Sequence, residues 1–170
     1  MGDVSERRAT VREVGPITIE IVAPAGLVYQ MLSAIGQGAQ RPGERAEVLE
    51  RDGQLLVCEF RTVVSLPLGR VRSVCTREAV GLCPPDRVEY EHLNGPVRGL
   101  RESITIEPIG DRRSRLVYRA SYRPRGRLTD LGFRLLARGA IERAIEEHFA
   151  DIRDRAEARA GRSRLFRVEP

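Results

Sequence analysis

Between Ala46 and Arg123, apolar and polar residues alternate with a period of two, and short turns rich in Gly, Pro, Asp and Asn interrupt the alternation. A parallel pair of strands needs a crossover of a dozen or more residues, and none of these connections is that long. Neighbouring strands are therefore expected to be antiparallel and to form one continuous sheet. The predicted strands are Ala46–Arg51, Gln54–Ser65, Arg70–Val80, Arg87–Leu93, Val97–Ile109 and Arg115–Arg123.

The residues on either side of this segment predict one further strand and two helices. A strand begins at Pro16, and a short helix follows from Pro24 and stops at Gly36. A long helix is predicted from Thr129, as its N-cap, to Ala160. Its apolar stripe consists of Leu131, Leu135, Ile141, Ala144, Ile145, His148, Phe149, Ile152 and Ala156.

One helix about 10 Å wide cannot closely cover a twisted sheet of seven strands. If the sheet curves around the helix, a gap remains between them, and an apolar gap with a few polar groups is the usual form of a small-molecule site. The element order thus predicts an α+β fold in which a curved antiparallel seven-stranded sheet wraps around a long C-terminal helix, with a short helix after the first strand. We expect a flexible lead at 1–15, a ligand-binding domain at 16–161 and a tail at 162–170.

Several segments of the chain resemble the START-like, helix-grip superfamily, which includes the birch-pollen allergen and polyketide cyclase/dehydrase relatives. The similar segments are Ile19–Pro24 with Val28, Tyr29 and Leu32, then Val88–Glu91, Gly95–Gly99, Ile104–Asp111, Arg115–Arg119 and the long terminal helix. The resemblance implies the helix-grip fold, called SRPBCC in its broader family, with hydrophobic-ligand binding, transport or occasional cyclase chemistry. It implies no single activity.

Alternation along the last three predicted strands identifies the side chains expected on the inner wall of the cavity. A tyrosine there offers an apolar ring and a phenol that can orient a ligand oxygen. The expected ligand-binding residues are Tyr90, Glu102, Ile104, Tyr118 and Tyr122, together with Leu135 and Arg138 from the long helix.

Three charged or titratable positions have alternative interpretations. His92 and Glu102 could form a catalytic pair that moves a proton at a carbonyl compound, although the simpler interpretation places both in water at strand ends. Arg138 could hold an acidic ligand group, but an ion pair with Glu142, one turn later, is favoured. His148 lies in the apolar stripe and is interpreted as a buried core histidine.

The residue types present exclude several kinds of chemistry. All 29 basic residues are arginine, so neither a lysine nucleophile nor a P-loop lysine exists. Two histidines and three cysteines show no metal-ligand spacing, and we expect no metal and no cofactor. The three cysteines cannot all pair and form no close Cys-x-x-Cys, so they are interpreted as reduced thiols of a cytoplasmic protein. No stretch is apolar enough for a membrane span or a secretory signal.

Arginine is concentrated in residues 110–127, where seven arginines accompany one acid. Two of them precede the last predicted strand, whereas Arg123, Arg125 and Arg127 follow it. A nine-residue strand spans about 30 Å, so the two groups are predicted at opposite ends of the domain. This separation argues for surface arginines and against a nucleic-acid groove.

We therefore predict a binding or carrier module for a hydrophobic small molecule, lipid- or polyketide-like, that exists as a monomer or homodimer. One alternative is a cyclase/aromatase-like enzyme that acts on a polyketide-type carbonyl substrate without a metal; it requires a proton-transfer pair facing the cavity. A second alternative is an anion-binding interaction module that uses the arginine-rich segment 110–127.

Overall fold

The computed structural model describes residues 11–37, 42–65 and 69–165. Its strands are β1 Arg12–Ile21, β2 Arg45–Asp52, β3 Leu55–Ser65, β4 Val71–Cys83, β5 Arg87–Asn94, β6 Arg101–Gly110 and β7 Arg113–Tyr122. They form one open antiparallel sheet in the order β1-β7-β6-β5-β4-β3-β2. The helices are α1 Ala25–Ser33, α2 Arg127–Gly132 and α3 Arg138–Leu165, with a π-helical turn at Phe133–Ala137 between the last two. The predicted helix-grip fold is confirmed.

The first strand begins at Arg12, four residues before the predicted start, so residues 12–15 belong to the sheet and not to a lead. Val14 is fully buried and pairs with Ala120 on β7. The pairing register shifts between Val14 and Ile17, which breaks the period-two pattern and hides this part of the strand in the sequence. The rest of the predicted lead, residues 1–10, lies outside the described residues.

The other predicted strand boundaries lie within four residues of the observed ones. The largest difference is at β6, which begins at Arg101 because residues 96–99 form a turn. The C-terminal helical segment begins at Arg127, and Thr129 is its third residue and not its N-cap. The Thr129 hydroxyl accepts a hydrogen bond from the backbone N–H of Gly126 at 3.0 Å. At the other end, α3 continues to residue 165, into the predicted tail, of which residues 166–170 lie outside the described residues.

The π-helical turn interrupts what the sequence predicted as one continuous helix. A π turn closes over five residues, so it changes which residues face the sheet. Phe133 is buried there, whereas Leu131 and Leu135 of the predicted apolar stripe are 49% and 69% exposed. The stripe is therefore correct for α3 residues such as Phe149 and wrong for the segment before it.

The helices pack on one face of the sheet, which we call the inner face. α3 lies close to β1 and α1 and only touches β3, while α1 contacts β5, β6 and β7. The core between them includes Val28, Leu32, Leu116, Tyr118, Phe149, Ile152 and Ala156. The middle of the inner face is therefore not closely covered by α3. None of the helices in the described residues is both long and apolar enough to cross a membrane.

The bulge in β1 depends on Gly15, which has a φ of +88°. A Cβ at this position would lie 2.7 Å from the backbone carbonyl oxygen of Tyr118. We expect Gly15→Ala to lower the free energy of unfolding by about 2–3 kcal/mol, through backbone strain and this clash, as measured by urea denaturation. Gly26→Ala in α1 is the control, because its Cβ would meet nothing within 4 Å. Equal midpoints for the Gly15→Ala variant and the wild type would contradict this description of the bulge.

Candidate active site

Polar side chains from four neighbouring strands meet on the inner face, among positions that are otherwise apolar. Strand pairing places Glu78 on β4 opposite His92 on β5, and Tyr90 on β5 opposite Glu102 on β6. Tyr118 on β7 is one strand further along. Antiparallel pairing sets facing side chains next to each other, so residues far apart in the chain become neighbours.

His92 is at the centre of this group. Its Nε2 lies 2.8 Å from Glu102 Oε2 and 3.5 Å from Glu78 Oε1. The Tyr118 hydroxyl donates a hydrogen bond to Glu102 Oε1 at 2.5 Å, and the Thr76 hydroxyl donates one to Glu78 Oε1 at 2.5 Å. We call these five residues the polar cluster. Within the described part of the chain, His92 Nδ1 is buried without a partner, so the polar contacts of the imidazole run through Nε2.

The polar cluster is buried to different degrees. Glu78 is 7% exposed and His92 is 8% exposed, while Tyr118 is fully buried. The Glu102 side chain retains 13% exposure, which makes it more accessible than His92 and Glu78, whose side chains are each 9% exposed. The simpler interpretation of His92 and Glu102, as water-exposed residues at strand ends, is therefore wrong.

Burial and neighbouring charges shift the pKa of several side chains in and beside the polar cluster. Burial raises the pKa of Glu78 above its ordinary value, although the nearby imidazole opposes the shift. Burial acts to lower the pKa of His92, but the hydrogen bond to Glu102 and the charges of both carboxylates outweigh it and raise that pKa. Burial and the neighbouring carboxylates also raise the pKa of Tyr90 and Tyr118. Both phenols thus stay protonated and can donate hydrogen bonds at neutral pH.

Three donor atoms of the polar cluster lie close enough together to surround a cation. One donor atom each from Glu78, His92 and Glu102 lies within 4.8 Å of the others. The spacing of these three residues in the sequence does not reveal that they are neighbours, because it is the strand pairing that brings their donor atoms together. The two carboxylates already accept hydrogen bonds from two hydroxyls and the imidazole, so both have polar partners within the protein.

An apolar wall stands beside the polar cluster. The Tyr90 ring, next to Glu102, packs edge-on against Phe60 with 6.4 Å between ring centroids. Both rings remain partly exposed although they lie on the inner face. Since α3 packs at the β1 side, the two rings leave apolar surface open on the middle strands.

A separate open depression of about 650 Å³ borders the same strands. Tyr90 and Glu102 contribute to its lining, but Ser103 and Arg119 alternate with inward-facing residues and belong to the outer face. This depression is therefore mostly a feature of the outer surface and is distinct from the apolar wall at Phe60 and Tyr90.

Two other predicted ligand-binding residues lie on the inner face. Ile104 is buried and pairs with Tyr118 across β6 and β7. Tyr122 is buried at the end of β7 and stacks on Phe133 with 4.5 Å between ring centroids. Tyr122 therefore anchors the π-helical turn to the sheet.

The residues expected from the long helix do not reach the inner face together. Leu135 is 69% exposed and lies on the surface. Arg138 forms an exposed ion pair with Glu142 at 3.0 Å, which was the favoured alternative. His148 is also exposed, so its interpretation as a core histidine is wrong. For Leu135 the cause lies in the π turn at Phe133–Ala137, which changes which residues of this segment face the sheet.

Glu78 and Thr76 were not predicted from the sequence, although β4 contains a signal for one of them. Glu78 shares its alternation with Val80 and Leu82, which marks an acid among inward-facing apolar positions. Cys58, which pairs with Glu78 across β3 and β4, is not a further reactive group. Burial raises the pKa of its thiol to about 11, so it is protonated at neutral pH.

Comparison with known proteins places these observations in a family context. The family model described as polyketide cyclase / dehydrase and lipid transport matches residues 10–157. No curated protein sequence matches the chain.

Several solved structures share the fold. The Zhui aromatase/cyclase from Streptomyces sp. R1128 is 21% identical with a TM-score of 0.63, over 90% of this chain and 95% of that one. The protein TTHA0849 from Thermus thermophilus is 17% identical with a TM-score of 0.64, over 88% and 99%. A START superfamily protein from Mycobacterium smegmatis is 15% identical with a TM-score of 0.58, over 89% and 97%. At these identities the likeness shows a common fold.

Proposed function

Because the chain belongs to the polyketide cyclase/dehydrase and lipid transport family, we propose that it binds a hydrophobic carbonyl compound on its inner face and transfers protons at the carbon beside the carbonyl group. One observation carries this proposal: Glu102 is a partly accessible carboxylate held by His92 and Tyr118 next to an apolar wall. The inward position of His92 and Glu102 supports the enzyme alternative, which requires a proton-transfer pair on this face.

Glu102 is the general base in this proposal. Its carboxylate takes a proton from the carbon beside the carbonyl, the C–H bond breaks, and the electron pair forms an enolate. His92 and Tyr118 hold the carboxylate in place through one hydrogen bond to each oxygen. Tyr90 lies directly opposite Glu102 in the strand pairing, so its phenol can donate a hydrogen bond to the enolate oxygen.

The enolate can then react within the same substrate. Its carbon attacks a second carbonyl group, which forms a C–C bond and leaves an alkoxide on the former carbonyl oxygen. The proton held by Glu102 returns to that alkoxide, so the carboxylate is regenerated. The reaction is an aldol-type cyclisation that consumes no oxidant or reductant.

A carrier without chemistry is the second candidate function. The partly exposed apolar wall at Phe60 and Tyr90 favours it, because such a surface binds apolar molecules whether or not a reaction follows. The two functions differ in whether Glu102 exchanges protons with the bound molecule.

Two measurements on the full chain test these functions. Native mass spectrometry of freshly purified protein is expected to show a co-purified hydrophobic molecule. Proton NMR of 2-tetralone in D₂O, a small aromatic ketone, is expected to show exchange of the protons beside the carbonyl at least about 10²-fold faster than in buffer. Saturable binding of 2-tetralone without faster exchange would support the carrier function and overturn the catalytic one. If no molecule co-purifies and 2-tetralone does not bind, both functions are overturned.

A further inference from the structure

Four leucines near the start of the C-terminal helical segment point into solvent. Leu128 is 85% exposed, and Leu135, Leu136 and Leu131 are between 49% and 69% exposed. The spacing of three and four residues places Leu128, Leu131 and Leu135 along one face, and Leu136 lies next to Leu135. We call these four residues the leucine ridge. Isolated exposed apolar residues are ordinary on protein surfaces, but four within nine residues form a continuous patch.

The fold holds the leucine ridge outward. On the opposite side of the same segment, Phe133 is buried and stacks on Tyr122. Arg12 on β1 forms two hydrogen bonds of 2.7 Å with the Asp130 carboxylate, which fixes α2 against the sheet. Since Phe133 occupies the inward direction, the leucines cannot turn into the core without breaking both contacts.

Positive charge surrounds the leucine ridge. The segment from Arg123 to Arg138 contains five arginines, all exposed, and a single acid, Asp130. Arg12 already pairs with that acid. Arg138 pairs with Glu142, which leaves four arginines beside the ridge. The arginine-rich segment therefore places one of its two groups beside the ridge. At the other end of β7, part of the positive charge is already paired within the sheet. Arg113 and Arg115 form ion pairs with Glu20 at 2.7 and 3.0 Å.

We propose that the leucine ridge docks the protein on the surface of anionic lipid bilayers. Protruding leucines flanked by arginines match an interfacial helix, whose apolar side chains enter the acyl-chain boundary while basic side chains meet anionic headgroups. A ridge fits this partner better than a folded protein, which would have to provide a matching groove. Docking places the first turns of α3, which adjoin the inner face through Ile141 and Ile145, at the bilayer surface.

Vesicle flotation of the full chain tests the docking. We expect binding to vesicles of phosphatidylcholine with about one-third phosphatidylglycerol, and at least about tenfold weaker binding to phosphatidylcholine alone or at about 0.5 M salt. Leu128→Ser with Leu135→Ser is expected to weaken binding at least about tenfold, since each removes apolar side-chain surface from the acyl boundary. The thermal unfolding midpoint should not change, because both leucines are exposed.

A matched variant shows whether position matters. Leu55→Ser with Leu93→Ser removes two exposed leucines at other strand ends and is expected to bind like the wild type. Three results would overturn the proposal: no binding to anionic vesicles at low salt, equal binding by the ridge variant, or a wild-type dimer in ultracentrifugation that the ridge variant dissociates. None of these results depends on Glu102, so catalysis and docking can fail separately.

Discussion

Replacing Glu102 with Gln is expected to slow the exchange of 2-tetralone protons by about 10²–10⁴-fold, the usual contribution of a general base. Gln has nearly the same shape as Glu, and its amide can still accept the hydrogen bond from Tyr118. The variant therefore removes the basic oxygen together with the hydrogen bond from His92 to that oxygen. Proton NMR in D₂O measures the rate, and urea denaturation verifies that the variant is folded.

The matched control is Glu107→Gln, which lies on the same strand but is exposed on the outer face. Its exchange rate is expected to equal that of the wild type, because surface ion pairs such as that of Glu107 with Arg115 contribute little. A folded Glu102→Gln variant that exchanges at the wild-type rate would show that another group removes the proton.

Most of the fold could be predicted from the sequence because its signals are local. Alternation and turn residues between Ala46 and Arg123 identify six strands, and tight turns fix their order. The start of β1 could not be found this way, since a bulge breaks the alternation at Gly15. The π turn at Phe133–Ala137 was also hidden, because it accompanies a long-range contact, the stacking of Phe133 on Tyr122, which local sequence signals do not show.

The candidate site was only half predictable, for a related reason. Alternation placed Tyr90, Glu102 and Tyr118 on one face, and the structure brings these side chains together. The burial of His92 depends on Glu78, which lies on another strand and becomes its partner only through the register of β4 with β5. Register is a property of the paired strands, so chain spacing alone could not show that the imidazole lies between two carboxyls.

Replacing His92 with Leu is expected to lower the free energy of unfolding by about 3 kcal/mol at neutral pH. The imidazole is the shared partner of Glu78 and Glu102, so its loss leaves two buried or half-buried carboxyls side by side with no group between them. Urea denaturation measures the change. The chain has two histidines, and His148→Leu is the matched control, expected to change stability by less than about 0.5 kcal/mol because His148 is exposed.

The pH dependence of stability distinguishes this cause from a simple packing defect. The pKa of His92 is raised in the folded protein above its ordinary value of 6.5. Its contribution is therefore fully present below pH 6.5 and is lost as the pH rises through the folded pKa. Wild-type stability should fall with increasing pH in that window.

Glu78 also makes the stability of the folded protein fall as the pH rises, but from a lower pH. Burial raises its pKa above the ordinary value of 4.5, so stability begins to fall once the pH exceeds 4.5. In the His92→Leu variant the imidazole no longer titrates, and the charge that opposes the raised pKa of Glu78 is gone. The fall caused by Glu78 should therefore remain above pH 4.5, while the part of the wild-type fall that belongs to His92 should be lost. A His92→Leu variant with wild-type stability, or with an unchanged pH profile, would contradict the assignment of His92 as the group that holds the two carboxyls together.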